Sequence, residues 1–273
     1  MASIHPTAVV DPGAELGAGV EVGPYAVIES DTRIGPDCRL GSHVLIKRFT
    51  TVGARCRLYH GAVLGEDPQD LKFRDEPSQL LVGENCLVRE YVTFHRATGE
   101  GNRTVVGSHG LFMAYCHVGH NSRVGDHVLL ANYVGVSGHC VIEDYVTVGG
   151  MSGLHQYVTV GTTAMIGGMS RVVEDAPPYC ITNGNPSRIY GLNVRGLRRR
   201  GIVGEAVIAL KRAFRLLYRG ELNTSQAVER IRESGELTPE VERLVAFEEA
   251  IAAGYARRQL DPLAATQAPA GPE

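Results

Sequence analysis

The chain lacks any C-x-x-C pair although it holds six cysteines, so it carries no signature of a zinc ribbon or a dithiol redox centre. It also lacks an excess of charge of either sign: 27 Lys and Arg stand against 30 Asp and Glu, for a formal net charge of −3. That balance leaves no electrostatic footprint for nucleic acid or an anionic membrane surface. No apolar run approaches the ~20 residues needed to span a bilayer. The first residues, Met1 to Pro6, show no basic-then-apolar leader. The expectation is a cytoplasmic protein without stable membrane insertion and without a nucleic-acid partner.

What the chain does have is a period of six. Every sixth residue from Ile4 to Val172 is Ile, Val, Leu or Phe, apart from Asp70, Glu76 and Glu100. After each interruption the frame resumes in phase, at Val82 and at Val106. The interruptions therefore read as outward insertions of whole six-residue units. Helices repeat near 3.6 and strands at 2, so a sustained period of six marks a β-solenoid whose stacked coils share one core. The residue after the aliphatic is often glycine, as at Gly17, Gly53 and Gly119, which points to a corner with positive φ or close backbone approach. Four residues after the aliphatic comes a small side chain, such as Ala26, Thr32 or Ala164. Cys38, Cys56, Cys86, Cys116 and Cys140 all fall in that slot, where a thiol is a compact filler. Cys180 lies past the solenoid.

These patterns predict a mainly β fold. Residues 1–190 form a parallel β-helix of hexapeptide repeats, with about eight to ten coils and outward loops near 66–81 and 98–105. Beyond Pro177-Pro178 the period becomes helical, giving a C-terminal helical domain over 191–258. One helix is expected from Glu205 to Tyr218. A second follows caps at Asn223 to Ser225 and runs to about Arg232, and a third starts at Thr238-Pro239 and runs to about Arg258. The Ala- and Pro-rich segment 259–273 is expected to be a flexible tail. Part of the helical region should cover the open edge of the last coil.

Packing uses up the inward slots of a solenoid, so chemistry falls to outward slots and insertions. Seven histidines, His60, His95, His109, His117, His120, His139 and His155, are candidates. Residues about 18 apart lie in adjacent coils on one face, which gathers His117, His120, His139 and His155 near one corner. Clustered imidazoles suit metal ligation, general base catalysis or plain surface exposure. The first insertion carries Asp70 and Lys72, an acid and a base beside a regular wall. Arg195, Arg198, Arg199 and Arg200 form either a solvated helix end or a phosphate clamp of paired guanidinium contacts. Spacing does not choose between these.

Several stretches carry a resemblance. They are Gly65-Glu66-Asp67-Pro68-Gln69-Asp70-Leu71-Lys72, Arg89 to Arg96, His117-Val118-Gly119-His120, Ser137-Gly138-His139, Gly149 to Gln156 and Gly191 to Arg199. Together with the hexapeptide frame they resemble the left-handed parallel β-helix acyltransferases, in particular the UDP-N-acetylglucosamine O-acyltransferase family of lipid A synthesis. The likeness covers nearly the whole chain short of the C-terminal tail. It implies transfer of a 3-hydroxyacyl chain from acyl carrier protein to the 3-position of the UDP-sugar. By position, His120 becomes the general base, and an imidazole titrating near neutrality suits that role. The Gly138 backbone N–H becomes the oxyanion donor.

Asp70, Lys72, His117 and His155 resemble residues that hold the sugar and diphosphate or orient the donor. Asn193 and Arg199 resemble uridine and phosphate contacts. His139 and Gln156 match positions near the donor arm, and Gly168 a position where bulk shortens the acyl groove. The resemblance also implies a homotrimer with active sites between subunits and no metal. It implies no cofactor of the enzyme's own, since the phosphopantetheine arm belongs to acyl carrier protein. Two departures stand out. Asn121 follows the base where the family often has Asp, which raises a 3-amino UDP-sugar as acceptor, and Arg195 stands where an acid is common. The rival readings are a sister N-acyltransferase, for which a frame starting at Ile4 leaves no N-terminal domain, a γ-type carbonic anhydrase, and a non-catalytic scaffold.

Overall fold

A computed structural model describes residues 1–254. The hexapeptide frame forms three sheets of two- to six-residue strands, holding 11, 9 and 8 strands. The first sheet begins at Ser3–Ile4, the second at Val9–Val10 and the third at Glu15–Leu16, so each coil visits all three in turn. Adjacent strands run parallel, with Ile4 opposite Val22 and Val118 opposite Val136. Across the insertions the register widens by whole units, Thr51 pairing with Leu81 and Leu81 with Val105. The interruptions at Asp70, Glu76 and Glu100 are thus outward loops, at 67–78 and 96–102, on an unbroken frame.

The inward aliphatics from Val22 to Val172 are buried, and the cysteine fillers Cys38, Cys56, Cys86, Cys116 and Cys140 lie at 0–1% exposure in the same core. All six cysteines are free and buried. Apart from Gly65, at φ 84, the glycine slot resolves to close approach. A methyl group on Gly53 would lie 2.6 Å from the Gly83 carbonyl carbon, and the backbone there is not left-handed. The left-handed residue sits two positions later, where non-glycine residues such as Asp37, His43, Asn121 and His139 take φ between 57 and 61. Each such residue costs ~1–2 kcal/mol in backbone strain. Its N–H in return donates to the preceding coil, as His43 does to Pro24 O at 3.0 Å and His139 to His120 O at 2.9 Å.

The stack ends in a hairpin. Cys180–Gly184 continues the first sheet and pairs antiparallel with Ser187–Leu192. Among the described residues four helices follow: α1 Val194–Arg199, α2 Glu205–Tyr218, α3 Thr224–Glu233 and α4 Pro239–Ala252. The short α1 was not expected from helical periodicity, because six residues are too few to carry one. Asn223 and Gln226 form a reciprocal capping box at α3, and Thr238 caps α4 with Pro239 in its first turn. Leu197, Leu210, Ala213, Ile231, Val241 and Leu244 join Tyr179 in a second core. The edge strand Ser187–Leu192 is packed by α2, and Arg219 of that side donates to Tyr190 O at 2.6 Å. The expectations for residues beyond 254, the helix reaching Arg258 and the flexible tail, lie outside the described residues. No helix among the described residues is long and apolar enough to cross a membrane.

Candidate active site

His117 points outward from the second sheet, and His120 sits on the corner that leads to the third. His139 and His155 occupy that corner in the next two coils. The His120 and His139 rings meet edge to face at 5.2 Å, and His139 stacks on Tyr157 at 4.6 Å. His155 Nδ1 lies 3.2 Å from the carbonyl oxygen of Gln156. The corner therefore gathers His117, His120, His139, His155 and Gln156. It adds His95, whose ring packs edge to face on His117 at 4.7 Å. The sequence offered His95 as a candidate but did not place it in the cluster.

The tautomer of His120 follows from backbone atoms. Asn121 Oδ1 accepts the Thr98 N–H at 2.9 Å, and Asn121 Nδ2 donates to the Thr98 carbonyl at 3.0 Å. A backbone N–H can only donate and a carbonyl only accept, which fixes the amide's orientation. The same Oδ1 lies 2.8 Å from His120 Nδ1, so Nδ1 must carry the proton. In the neutral ring Nε2 then keeps the lone pair, and it lies beside Gly138. A methyl group on Gly138 would stand 2.6 Å from Nε2. Gly138 occupies the corner slot that holds Pro24 and Pro36 in early coils. Because proline has no N–H, the coil ladder does not depend on a donor there. Among the described residues no backbone acceptor takes the Gly138 N–H, and the residue packs beside the base.

Loop 67–78 brings a carboxylate to this corner. The Lys72 N–H donates to Asp70 Oδ1 at 3.0 Å. That bond, aided by the charges of His120 and Lys72 and opposed by partial burial, holds the Asp70 carboxyl below its usual range. Lys72 itself is exposed. Burial pushes His95 down to about 4, with the neighbouring His120 adding to the effect. Burial also pushes His117 down to about 4, with His95 and His120 contributing. Thr93 Oγ1 lies 2.8 Å from His117 Nδ1. Among the described residues no three His, Cys, Asp or Glu converge to hold a metal ion.

These two histidines predict a pH dependence. The unfolded chain binds protons at imidazoles near pH 6.5, whereas folded His95 and His117 resist them to about 4. Between those values the unfolded state holds more protons, so stability falls as pH drops from 6.5 towards 4. Urea unfolding at pH 7.5 and pH 5 should show this loss, and His95→Gln should shrink it. A loss of equal size in His95→Gln would remove His95 from the account.

Other candidate residues lie elsewhere on the prism. Asn193 and Arg199 stand beside the corner from the third sheet to the first, lining a cavity of about 590 Å³ with His127, Tyr145, Arg195 and Arg200. Arg200 lies over the Tyr145 ring at 3.2 Å. The Asn193 amide is occupied: Nδ2 donates to Thr163 O at 2.8 Å, and Oδ1 accepts the Gly196 N–H at 2.9 Å as the cap of α1. Within one chain the face of the third sheet separates this cavity from His120.

Gly168 sits on the corner from the first sheet to the second, exposed, where a methyl group would meet Gly150 O at 3.3 Å. Between Gly168 and His120 runs the second sheet, whose outward column reads Thr93, His117, Gly135, Gly153 and Arg171. A methyl group on Gly135 or Gly153 would meet nothing within 4 Å. This bare strip joins the two corners. It was overlooked in the sequence, although the outward slot of the same frame spells it out.

Residues 175–256 match the family model of UDP-N-acetylglucosamine O-acyltransferase domain 2, and residues 13–48 match the bacterial transferase hexapeptide. The acyl-[acyl-carrier-protein]–UDP-N-acetylglucosamine O-acyltransferase of Burkholderia lata is 42% identical over 262 residues, covering 94% of this chain and all of that protein. The namesake enzyme of Gloeothece citriformis is 45% identical over 190 residues, spanning 70% of this chain and 68% of that one. Among solved structures, LpxA from Acinetobacter baumannii superposes with a TM-score of 0.87 at 39% identity, covering 90% of this chain and 96% of that chain. LpxA from Bacteroides fragilis does so with 0.88 at 35% identity, covering 89% and 96%. With a hexapeptide β-helix, a helical C-terminal region and these relatives, the chain belongs to the UDP-N-acetylglucosamine O-acyltransferase family.

Proposed function

We propose that this protein moves a 3-hydroxyacyl group from the thioester of acyl carrier protein to the 3-position of UDP-N-acetylglucosamine, the opening step of lipid A synthesis, with His120 as general base. The observation that carries the reading is the His120 imidazole itself, proton on Nδ1 and lone pair on Nε2, set beside Gly138. Nε2 takes the proton of the 3-hydroxyl as its oxygen attacks the thioester carbonyl. The tetrahedral oxyanion is met by the Gly138 N–H. Collapse breaks the C–S bond, and the imidazolium returns its proton to the departing thiolate. Asp70 places a negative charge near that imidazolium. Lys72, His117, His155, Gln156 and His139 surround the sugar, the diphosphate and the donor arm. The bare strip of Gly135 and Gly153 leads away from the reacting carbonyl towards Gly168, which suits a long acyl chain.

The separation of Asn193 and Arg199 from His120 within one chain supports a site completed by a second copy, in a homotrimer, with the arginines of one chain reaching the diphosphate held at the base of another. Asn193 contributes there by fixing the N-terminal turn of α1. A second reading rests on Asn121, which orients His120 without offering it charge. A neutral amine needs less help as a nucleophile than a hydroxyl, which favours a 3-amino UDP-sugar as acceptor.

The test is a transfer assay with acyl carrier protein loaded with 3-hydroxymyristate and both acceptors. Ester formation on UDP-N-acetylglucosamine is the expected result. Faster amide formation on the 3-amino sugar would move the assignment to the second reading. Absence of transfer to either acceptor, over several donor lengths, would sink both.

A further inference from the structure

We infer that Arg96 is a positioning residue for the His120 base, acting through both insertion loops; this rests on the reading of His120 given above. Among the described residues Arg96 is the largest fully buried side chain, at 0% exposure. A charge in that position persists only when its donors are satisfied. Arg96 Nε and Nη2 donate to Asp67 Oδ1 at 3.1 and 2.8 Å, and Nη2 reaches Asp75 Oδ1 at 3.3 Å. Nη1 donates to the Glu76 carbonyl at 2.9 Å and to Ser78 Oγ at 3.3 Å. The Phe73 ring covers the guanidinium, its centroid 4.7 Å away. Every acceptor lies between Asp67 and Ser78, and none belongs to a coil strand. The guanidinium is therefore the internal core of the loop that carries Asp70 and Lys72.

The bonds continue to the base. Ser78 Oγ donates to the Ala97 carbonyl, and Glu76 Oε1 accepts the Gly99 N–H at 2.7 Å. Thr98 is thereby pinned on both sides. Its N–H and carbonyl are the two groups that clamp the Asn121 amide, and that amide sets the proton on His120 Nδ1. Hydrogen bonds joined through the backbone of residues 97–99 thus connect the buried arginine to the His120 imidazole. It also accounts for Asn121. An aspartate there would set a carboxylate oxygen against the Thr98 carbonyl, so the amide matches the loop that Arg96 holds.

The experiment compares the full-length protein with Arg96→Lys, which keeps the charge but loses the fork, and Arg96→Met, which loses both. Three quantities are read: amide hydrogen exchange, the nitrogen resonances of the His120 ring, and transfer kinetics. Faster exchange is expected at 67–78 and 97–102 with the coils unchanged. The single Nδ1–H tautomer should give way to a mixture in Arg96→Met and partly survive in Arg96→Lys. The turnover number should fall on the order of 10- to 100-fold in Arg96→Met, the scale of a misplaced reacting group. An unaltered tautomer with unaltered loop protection would overturn the proposal. So would loss of protection throughout the coils, which would make Arg96 a general stabiliser. If the wild-type protein transfers no acyl group, the functional reading fails, while the exchange and ring resonances still decide the role of Arg96.

Discussion

His120→Ala is expected to lower the turnover number by about 10² to 10⁴, the range over which a positioned general base contributes, while leaving the fold intact. The imidazole stands on an outer corner and fills no inward slot, so its removal opens no core cavity. Thermal unfolding should therefore move little, and binding of the UDP-sugar should weaken much less than turnover does. His120→Asn is the companion variant. It returns a polar group of similar reach but cannot accept a proton at neutral pH, so it should be as slow as the alanine variant. Retention of more than about a tenth of the wild-type rate by either variant would assign proton abstraction to another group.

Gly138→Ala is the second large effect, and it separates shape from chemistry. The added methyl would sit 2.6 Å from His120 Nε2 and 2.7 Å from Cε1, well inside contact distance. The backbone at Gly138 is not in the left-handed region, so alanine brings no conformational strain there. The ring has to move. Such a movement disturbs the Asn121 bond that fixes its tautomer. A displacement near 1 Å costs on the order of 10²-fold in rate. The expected outcome is a melting temperature close to wild type, donor and acceptor binding largely kept, and turnover reduced on that scale. Normal turnover in Gly138→Ala would show that the ring position set by this contact does not matter to the reaction.

The two variants differ in how visible their residues were. The fold was legible because a hexapeptide frame is a repeated local rule. Each aliphatic needs an inward slot, and each corner needs a residue that tolerates close approach or a left-handed turn. Even the interruptions at Asp70, Glu76 and Glu100 were interpretable, since only whole six-residue units keep later strands in phase. The rule failed where two local explanations fitted the same residue. Glycine after the aliphatic was compatible with positive φ or with close packing, and the backbone of the next coil decided for packing at all of these corners except Gly65. The helix α1 escaped because its six residues are held by a cap, Asn193, rather than by an amphipathic stripe.

The histidine corner was half legible. Separations near one coil brought His117, His120, His139 and His155 together, since position along a solenoid translates directly into position in space. His95 escaped that count because its coil carries an insertion, which lengthens the separation without changing the face. The Arg96 network was invisible, because its acceptors Asp67, Asp75, Glu76 and Ser78 lie in a loop that follows no period.

By itself, then, the sequence determined the solenoid, its register, its core and the corner where imidazoles gather, because all four follow from short-range repetition. The tertiary structure alone decided which nitrogen of His120 holds the proton, which glycine touches it, and that the corner of Asn193 and Arg199 stands a full face away. Those depend on hydrogen bonds and contacts between loops of no fixed period, whose geometry exists only once the coils have stacked.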